Sequence, residues 1–583
     1  MRWFTDFHRG TYELRSVEVG PERKDGGRPR RHADYADKLV TSLNDDAQTL
    51  HGELRRRIEK FPDSECVGTR TKVGSVEKEI VITKQGKDST KKITVPKMTD
   101  YKWKTYKEFG EQITAFSAGL ANVEMKQGDT MGIFHNSSAE WQVCSYACME
   151  RGIVVATVYA SLGLEALVYA LNLTKVNAVF TSADLVEKLI SAKVESLRLI
   201  IYTGKLSEEK LKEYSEKNSD ISIRSFDELS ELGREKPVAD EAKVDTDDVA
   251  LIMFTSGSSG NPKGVLLSHG NILSSAAGMV LAAGGLHSTD RYLGYLPLAH
   301  ILEFTAEQTM FQGGGSVGYG SPATLQGAAC LNESGEPAGD IQTLKPSVMP
   351  AVPLILDRMR KGVLKTIADS SWIIRKLFSY AYSGKRSAYL AGQPSPFWDR
   401  IMFNKIKSKL GGNLRMIVSG GAPLSPESQE FMNVTFCCPV GQGYGATETA
   451  SCGCLTKLSD VTTGRVGAPF PSCEIRLLDV KDMDYLSSDT PNPRGEILIR
   501  GPCVTRGYFN MSDEQKESFQ DDPDGEGIWY HSGDIGMWHP DGTLQIIDRK
   551  KDLVKLSDGE FIALGALEAV YKESDFVDHI LVY

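Results

Sequence analysis

From Tyr101 onward, stretches with helical spacing alternate with short apolar runs, and this alternation narrows the fold more than any other feature of the chain. Residues 106–123 place apolar side chains at helical spacing, and Thr130-Met131-Gly132-Ile133-Phe134 reads as a strand. Residues 139–151 read as a helix, and Ile153-Val154-Val155-Ala156-Thr157-Val158 as a buried strand. Apolar strands separated by helices predict parallel sheets covered on both faces, an α/β fold. From Glu474 short strands and turns take over, as in Gly495-Glu496-Ile497-Leu498-Ile499-Arg500-Gly501, and a small β-barrel-like subdomain fits that region. The charged stretch 205–248 reads as surface cover between two sheets. Residues 378–397, rich in Ser, Gly, Tyr and Pro, read as a loop or insertion near a helix. Residues 1–98 are polar and charged and read as an N-terminal extension. It holds a solvated loop at 23–31 and a hairpin tip at 84–92. A basic patch on anionic lipid is the less favoured reading of that loop.

Composition bounds the function. The 583 residues suffice for several domains with a large buried core. A net charge of −10 argues against a nucleic-acid partner. Ten cysteines in so long a chain do not make a disulfide scaffold. Cys452-Gly453-Cys454 and the Cys437-Cys438 pair lack zinc spacing, so the thiols read as reduced and mostly buried, in a reducing compartment. Met1-Arg2-Trp3-Phe4 leads straight into charge, so no signal peptide is expected. The longest apolar stretch, 276–286, is too short to span a membrane.

The richest chemistry lies where a strand-like run, Val249-Ala250-Leu251-Ile252-Met253, meets Phe254-Thr255-Ser256-Gly257-Ser258-Ser259-Gly260-Asn261-Pro262-Lys263-Gly264. Glycines let a backbone approach phosphate closely, and N–H groups and hydroxyls can wrap its oxygens. Lys263 adds a cation. The loop is not a Walker loop: Pro262 stands where its second glycine should, and Gly264 where its magnesium-binding hydroxyl should. Nor does it hold G-x-G-x-x-G. A flexible Gly/Ser surface loop is the competing reading.

Four further motifs follow in order. They are Leu296-Pro297-Leu298-Ala299-His300-Ile301-Leu302-Glu303, then Ser419-Gly420-Gly421-Ala422-Pro423-Leu424, then Gly443-Tyr444-Gly445-Ala446-Thr447-Glu448-Thr449. Last comes Gly527-Ile528-Trp529-Tyr530-His531-Ser532-Gly533-Asp534-Ile535-Gly536, running into Ile546-Ile547-Asp548-Arg549-Lys550-Lys551-Asp552. With the T-S-G-S-S-G-x-P-K-G loop, this set resembles the adenylate-forming enzymes: acyl-CoA synthetases, luciferases and peptide-synthetase adenylation domains. The likeness covers roughly residues 100–583. The D-R-K-K-D-L run, the P-L-A-H segment and the long stretch between Met359 and Ile417 are most like long-chain fatty-acid–CoA ligases.

The resemblance implies a large domain over 99–547, made of two parallel-sheet α/β subdomains and the β-barrel-like one. It implies a hinge and the start of a small α+β C-terminal domain over 548–583. It implies ATP and CoA as substrates with a fatty acid, magnesium as cofactor, and two steps through an acyl-adenylate. Lys263 would contact the β- and γ-phosphates, with Thr255, Ser256, Gly257, Ser258, Ser259 and Gly260 as the phosphate loop. Glu448 would be the magnesium-side carboxylate, with Thr255 also on the metal side, and Thr447 would touch the α-phosphate. Tyr444 would stack on adenine beside Gly445, with Gly421 and Ala422 against the ring. Asp534 and Arg549 would hold the ribose, Lys551 would mark the hinge, and His300 would lie near the acyl and thiol side. Each has a plainer reading: a solvated lysine for Lys263 and Lys551, a turn residue for the hydroxyls and Asp534, a cap or surface ion pair for Glu448 and Arg549, a core side chain for Tyr444 and His300.

The family also places a lysine late in its C-terminal domain, and no residue here matches it. The sequence is then a fragment or a naturally shortened chain, and adenylation by these 583 residues alone is expected to be impaired. Residues 580–583 read as a strand without a continuation. Another carboxylate-activating ligase, or an inactive nucleotide- or lipid-binding homologue, are the competing functions. The expected place is the cytoplasm or, because a long-chain acyl substrate partitions into membranes, the cytosolic face of the endoplasmic reticulum or another organelle as a peripheral contact. Oligomeric state is not readable.

Overall fold

The computed structural model describes residues 14–44, 48–84, 87–239, 242–255, 262–523, 527–555, 561–572, 574, 577 and 580–582. Two large sheets, mostly parallel, carry the alternation read from the sequence. The first runs, in spatial order, Ser222–Ser225, Leu199–Thr203, Ala178–Ser182, Thr130–Phe134, Val154–Val158, Val249–Thr255 and Lys263–Ser268. All its pairs are parallel except the last, where Thr255 faces Lys263. The second centres on parallel strands Val440–Gly445, Met416–Ser419, Val348–Ala351, Arg291–Gly294, Ser316–Tyr319 and Glu65–Thr69. Antiparallel strands close its two edges, Gly453–Leu455 with Ala468–Pro469 at one and Lys102–Thr105 at the other.

Three helices fill the space between these sheets: Ala139–Glu150, His269–Ala282 and Ile301–Gly313. They are buried almost all round, which suits a middle layer rather than a surface. Their side chains share one cluster with Met131 and Val155 of the first sheet and Tyr292 and Val317 of the second, and Trp141 meets Phe304 with ring centroids 5.8 Å apart. The helix expected at 106–123 forms as Tyr106–Asn122, started by a capping box between Thr105 and Glu108.

A third sheet is antiparallel. It runs Ser16–Glu18, Arg30–His32, Glu474–Leu478, Arg494–Arg500, Ile528–Trp538 and Phe519–Asp521, with Leu544–Arg549 branching from Ile528–Trp538. Its pairings form an open path. Beyond it, Leu553–Lys555 and Phe561–Ala563 pair into a hairpin that leads to helix Leu564–Lys572. Residues 580–582 form no strand.

Four sequence readings need correction. Residues 1–98 are not laid outside the fold. They give two strands to the antiparallel sheet and Glu65–Thr69 to the second parallel sheet, and Leu50 and Leu54 of helix Leu50–Lys60 enter the main core. Their charge misled because it is paired internally. Arg23 meets Asp522 at 2.8 Å and Arg31 meets Glu474 at 2.8 Å, so the 23–31 loop is pinned rather than solvated. The hairpin tip expected at 84–92 is present, the end of a long hairpin that pairs Lys72–Lys84 with Lys87–Met98. Residues 205–248 do not lie between sheets: Ser222–Ser225 is an edge strand, and helix Phe226–Glu235 packs on Tyr106–Asn122. Gly233 permits that approach, since a Cβ there would lie 1.9 Å from the Ala115 carbonyl oxygen. Finally, 378–397 is mostly helix, Trp372–Leu390. Phe378 and Ala381 pack inward, and Gly384 lies against Trp398, so tertiary contacts outweigh the weak propensity of its serines and glycine.

Candidate active site

Thr255 and Lys263 are cross-strand partners at the open end of one hairpin of the first sheet. The sheet therefore fixes both ends of the Gly/Ser loop side by side. Ser256, Gly257, Ser258, Ser259 and Gly260 lie outside the described residues. The Lys263 ammonium sits 5.2 Å from the centroid of the Tyr508 ring, and the Tyr508 hydroxyl donates to Glu448 Oε1 at 2.8 Å. Lys263 and Glu448, far apart in sequence, thus meet across one tyrosine. Segment 505–509 is laced to both sides. Leu266 N–H donates to Gly507 O (3.0 Å), Phe509 N–H to Gly264 O (2.7 Å), and Thr505 N–H to Glu448 O (2.8 Å). Gly507, at φ 137°, permits the tight path. Sequence reasoning missed Tyr508: a single tyrosine with no periodic neighbours has no local signature of this contact.

Glu448 rides on a rigid mount. Strand Val440–Gly445 runs into a single turn of 3-10 helix, Thr447–Thr449, followed by Ala450 and Ser451 in left-handed conformations at φ 50° and 72°. Non-glycine residues hold such angles only where surroundings enforce them. Here the Ser275 hydroxyl donates to Ala450 O at 2.6 Å, and Ala446 N–H donates to Thr449 Oγ1 at 3.1 Å. Gly445 leaves room for the fold-back, because a Cβ there would lie 2.4 Å from Ser451 O. Glu448 is only 7% exposed, with half-buried Thr447 beside it. Its Oε2 takes no hydrogen bond from a described residue.

A second group gathers around Asp534. The Tyr444 hydroxyl donates to Asp534 Oδ2 at 2.7 Å. Asp534 N–H donates to Ser532 Oγ at 3.1 Å, and that hydroxyl donates to Ile497 O at 2.7 Å. Arg549 faces Asp534 across the two strands, with Nε 3.7 Å from Oδ1. Burial raises the Asp534 pKa above its ordinary value, against the lowering influence of Tyr444 and Arg549. Burial raises the pKa of nearby Tyr530 first, and the charges of Glu448 and Asp534 add to the rise.

Gly421 and Ala422 are exposed just past strand Met416–Ser419, whose neighbour Val440–Gly445 delivers Tyr444. Both groups thus sit at the carboxyl ends of adjacent parallel strands, where open α/β sheets form ligand crevices. Gly421 adopts φ 81° with open space about it. Ser419 Oγ is buried there with no hydrogen-bond partner among the described residues.

His300 caps helix Ile301–Gly313, its Nδ1 accepting from Leu302 N–H at 3.1 Å. Desolvation by surrounding protein holds its pKa below the ordinary histidine value. It does not join the Lys263–Glu448 group, but the Leu302 side chain of its helix reaches the Gly420 shelf, 3.5 Å from where a Cβ would stand. Lys551 is exposed in the short turn Lys550–Asp552, between the antiparallel sheet and the C-terminal hairpin. Its neighbour Lys550 lies 3.1 Å from Glu496, which also faces His531 at 3.6 Å.

The helix capped by His300 hides two acids that no periodicity announced. Glu303 and Glu307 have no solvent exposure. Tyr292 donates to Glu303 Oε2 (2.9 Å), while Gln142 and Tyr319 donate to Glu307 Oε2 (2.7 and 2.8 Å). Their Oε1 atoms both turn toward Gly294 and lack partners. Desolvation pushes Glu307 up to about 8. It lifts Glu303 well above the usual carboxylate range, with the Glu307 charge adding to it. Between the acids, Thr305 turns the other way and donates to Ala450 O at 3.3 Å, so this helix also braces the Glu448 turn.

Comparison with known proteins identifies the family. The profile of the AMP-binding enzyme family matches residues 82–509. Long chain acyl-CoA synthetase 8 of Arabidopsis thaliana is 38% identical over 575 residues, covering 97% of this chain and 78% of that protein. Long-chain-fatty-acid–CoA ligase 1 of Schizosaccharomyces pombe is 34% identical over 562 residues, covering 95% of this chain and 81% of that protein. Among solved structures, the adenylation domain of a carboxylate reductase from Mycobacterium chelonae superposes with a TM-score of 0.70 at 21% identity, covering 94% of this chain and 79% of that one, and shares its fold. The chain belongs to the AMP-binding enzyme family, alongside these long-chain acyl-CoA synthetases.

Proposed function

We propose that this chain is an AMP-forming long-chain fatty-acid–CoA ligase that works through an acyl-adenylate. The observation that carries the reading is that strand Val440–Gly445 and the turn after it deliver one member of each of two groups: Glu448, bonded by Tyr508 beside Lys263, and Tyr444, bonded to Asp534, which Arg549 faces. One side suits the phosphates of ATP and the other its nucleoside. The relatives' names supply the acid and the thiol. In the first step the fatty carboxylate oxygen attacks the α-phosphorus and pyrophosphate leaves. The carboxylate is already a nucleophile, so this step needs alignment and charge neutralisation rather than a base. In the second step the CoA thiolate attacks the acyl carbon and AMP leaves.

Lys263 and the hydroxyls and N–H groups of 255–260 neutralise the departing pyrophosphate. Asp534 accepts the ribose hydroxyls and Arg549 steadies that carboxylate. Tyr444, held by its bond to Asp534, offers its ring to adenine above Gly421 and Ala422. Glu448 would hold a magnesium ion that arrives with the nucleotide. The free Oε2 offers one hard oxygen, and no group of three or more acids, histidines or cysteines suited to a metal occurs among the described residues. Its other ligands would be phosphate oxygens and water, with Thr255 the second protein oxygen that the family pattern assigns to the metal side. When bound, it supplies charge neutralisation at the phosphates. Lys551 serves as the pivot between the two half-reactions. His300, at the start of the helix whose Leu302 reaches the Gly420 shelf, lines the acyl and thiol side.

The test is conversion of palmitate, ATP and CoA with magnesium, read as equal amounts of palmitoyl-CoA, AMP and pyrophosphate. Glu448→Gln is expected to lower kcat about 100-fold or more, as loss of a charge-stabilising group does. Formation of ADP instead of AMP, or turnover indifferent to palmitate, would overturn the reading.

A further inference from the structure

Helices Pro353–Ala368 and Trp372–Leu390 form a hairpin whose tip stands free of the core. Its root is packed: Leu356, Met359, Phe378 and Ala381 lie in one apolar cluster with Leu296 of the P-L-A-H segment and Leu424 beyond the Gly421 shelf. Its tip is not. Leu364 is 39% exposed, Trp372 63%, Ile373 58% and Ile374 42%, and Tyr380, farther down the same helix, is 69% exposed. At 3.6 residues per turn, Trp372, Ile373, Lys376 and Tyr380 fall within an arc of about 100°. Large apolar side chains clustered in the open mark an interaction surface.

Charge says what covers it. Residues 353–410 contain twelve Lys and Arg against three Asp and no Glu, a net of +9 within a chain of net −10, which leaves −19 on the rest. Lys361, Lys365 and Lys376 lie at the tip and make no ion pair with a described residue. Lys376 instead sits 5.5 Å from the Trp372 ring centroid. A tryptophan and isoleucines ringed by free lysines match a surface that is apolar within and anionic at its rim.

We infer that the tip of this hairpin, centred on Trp372, Ile373 and Lys376, docks on an anionic lipid bilayer. The apolar side chains enter the headgroup boundary, the lysines meet lipid phosphates, and the strongly acidic remainder is repelled, which orients the molecule. No described helix is long and apolar enough to cross a membrane, and docking of this kind needs none. The cluster beneath the tip reaches Leu296 and Leu424, so the hairpin joins the lipid surface to the proposed acyl side of the site. The docking itself does not depend on the ligase reading, because it is measured without turnover.

The experiment is co-sedimentation of the full chain with vesicles of phosphatidylcholine alone and of phosphatidylcholine with about 30% phosphatidylserine, at low and high salt. Two variants are compared, W372S/I373S and K361E/K365E/K376E, with K210E/K212E on the distant helix Glu208–Lys217 as control. All these positions lie at the surface, so unchanged thermal midpoints will confirm folding. Expected are binding to the anionic vesicles only, weakening with salt, and unchanged binding by the control. At about fivefold per lysine, the triple reversal should weaken binding on the order of 100-fold, and W372S/I373S should weaken it at least tenfold. Equal binding to both vesicles, or full binding by either tip variant, would overturn the inference. So would a concentration-dependent dimer abolished by W372S/I373S without vesicles, which would assign the face to a second copy.

Discussion

Replacing Glu307 by Gln should flatten the dependence of stability on alkaline pH. In the fold, Glu307 is fully buried and its pKa is pushed up to about 8 by desolvation, from an ordinary 4.5. A group whose folded pKa is raised holds its proton longer when folded. Its contribution is therefore fully present below about pH 4.5 and is lost as pH rises through about 8. Between pH 6 and pH 9 the linkage relation gives a loss on the order of 2 to 3 kcal/mol for this one carboxyl. At about 2.1 cal/mol/K per residue, a 583-residue chain melting as one unit has an unfolding entropy of about 1.2 kcal/mol/K, so the loss is about 2 °C in Tm. Glutamine fits the site. Its oxygen can accept from Gln142 and Tyr319 as Oε2 does, and its amide can donate to Glu303, whose Oε1 shares the Gly294 corner. The measurement is Tm by scanning calorimetry at pH 6 and pH 9 for both proteins. The variant's advantage should grow by about 2 °C over that interval. Parallel curves would refute the idea that Glu307 is protonated in the native state at neutral pH.

Tyr444→Phe removes one hydrogen bond to Asp534, and a loss of about 1.4 kcal/mol should raise KM for ATP roughly tenfold with a smaller effect on kcat. A variant with unchanged KM would detach Asp534 from nucleotide binding. Gly445→Ala forces a Cβ to within 2.4 Å of Ser451 O, displacing the Glu448 turn. Turnover should fall at least tenfold while unfolding stays cooperative, so calorimetry and kinetics together check it. All ten cysteines are free and only Cys437 is partly accessible. A thiol reagent should label about one thiol in the native protein and ten in denaturant, the native reaction being slow because burial raises the Cys437 pKa.

Much of the fold was legible because its signals are local. The strand and helix boundaries at 106–158 match the spacing of apolar residues to within a residue or two, since each element buries a face its own sequence advertises. The five motifs likewise named Lys263, Glu448, Tyr444, Asp534 and Arg549 from short strings. Segment 1–98 was misread for the opposite reason. Arginines at 23 and 31 look like surface residues until their partners, Asp522 and Glu474, arrive from more than 440 positions away.

By itself, then, the sequence determined the layered α/β plan and singled out the residues of the candidate site, because periodicity and motif composition are properties of neighbours along the chain. Only the tertiary structure decided which of those residues meet. It set Tyr508 between Lys263 and Glu448, brought Tyr444 onto Asp534, and buried Glu303 and Glu307 side by side inside a helix layer. It also left the Trp372 tip uncovered. Contacts of this kind depend on how distant segments pack, and burial, not composition, then sets the protonation and exposure of each group.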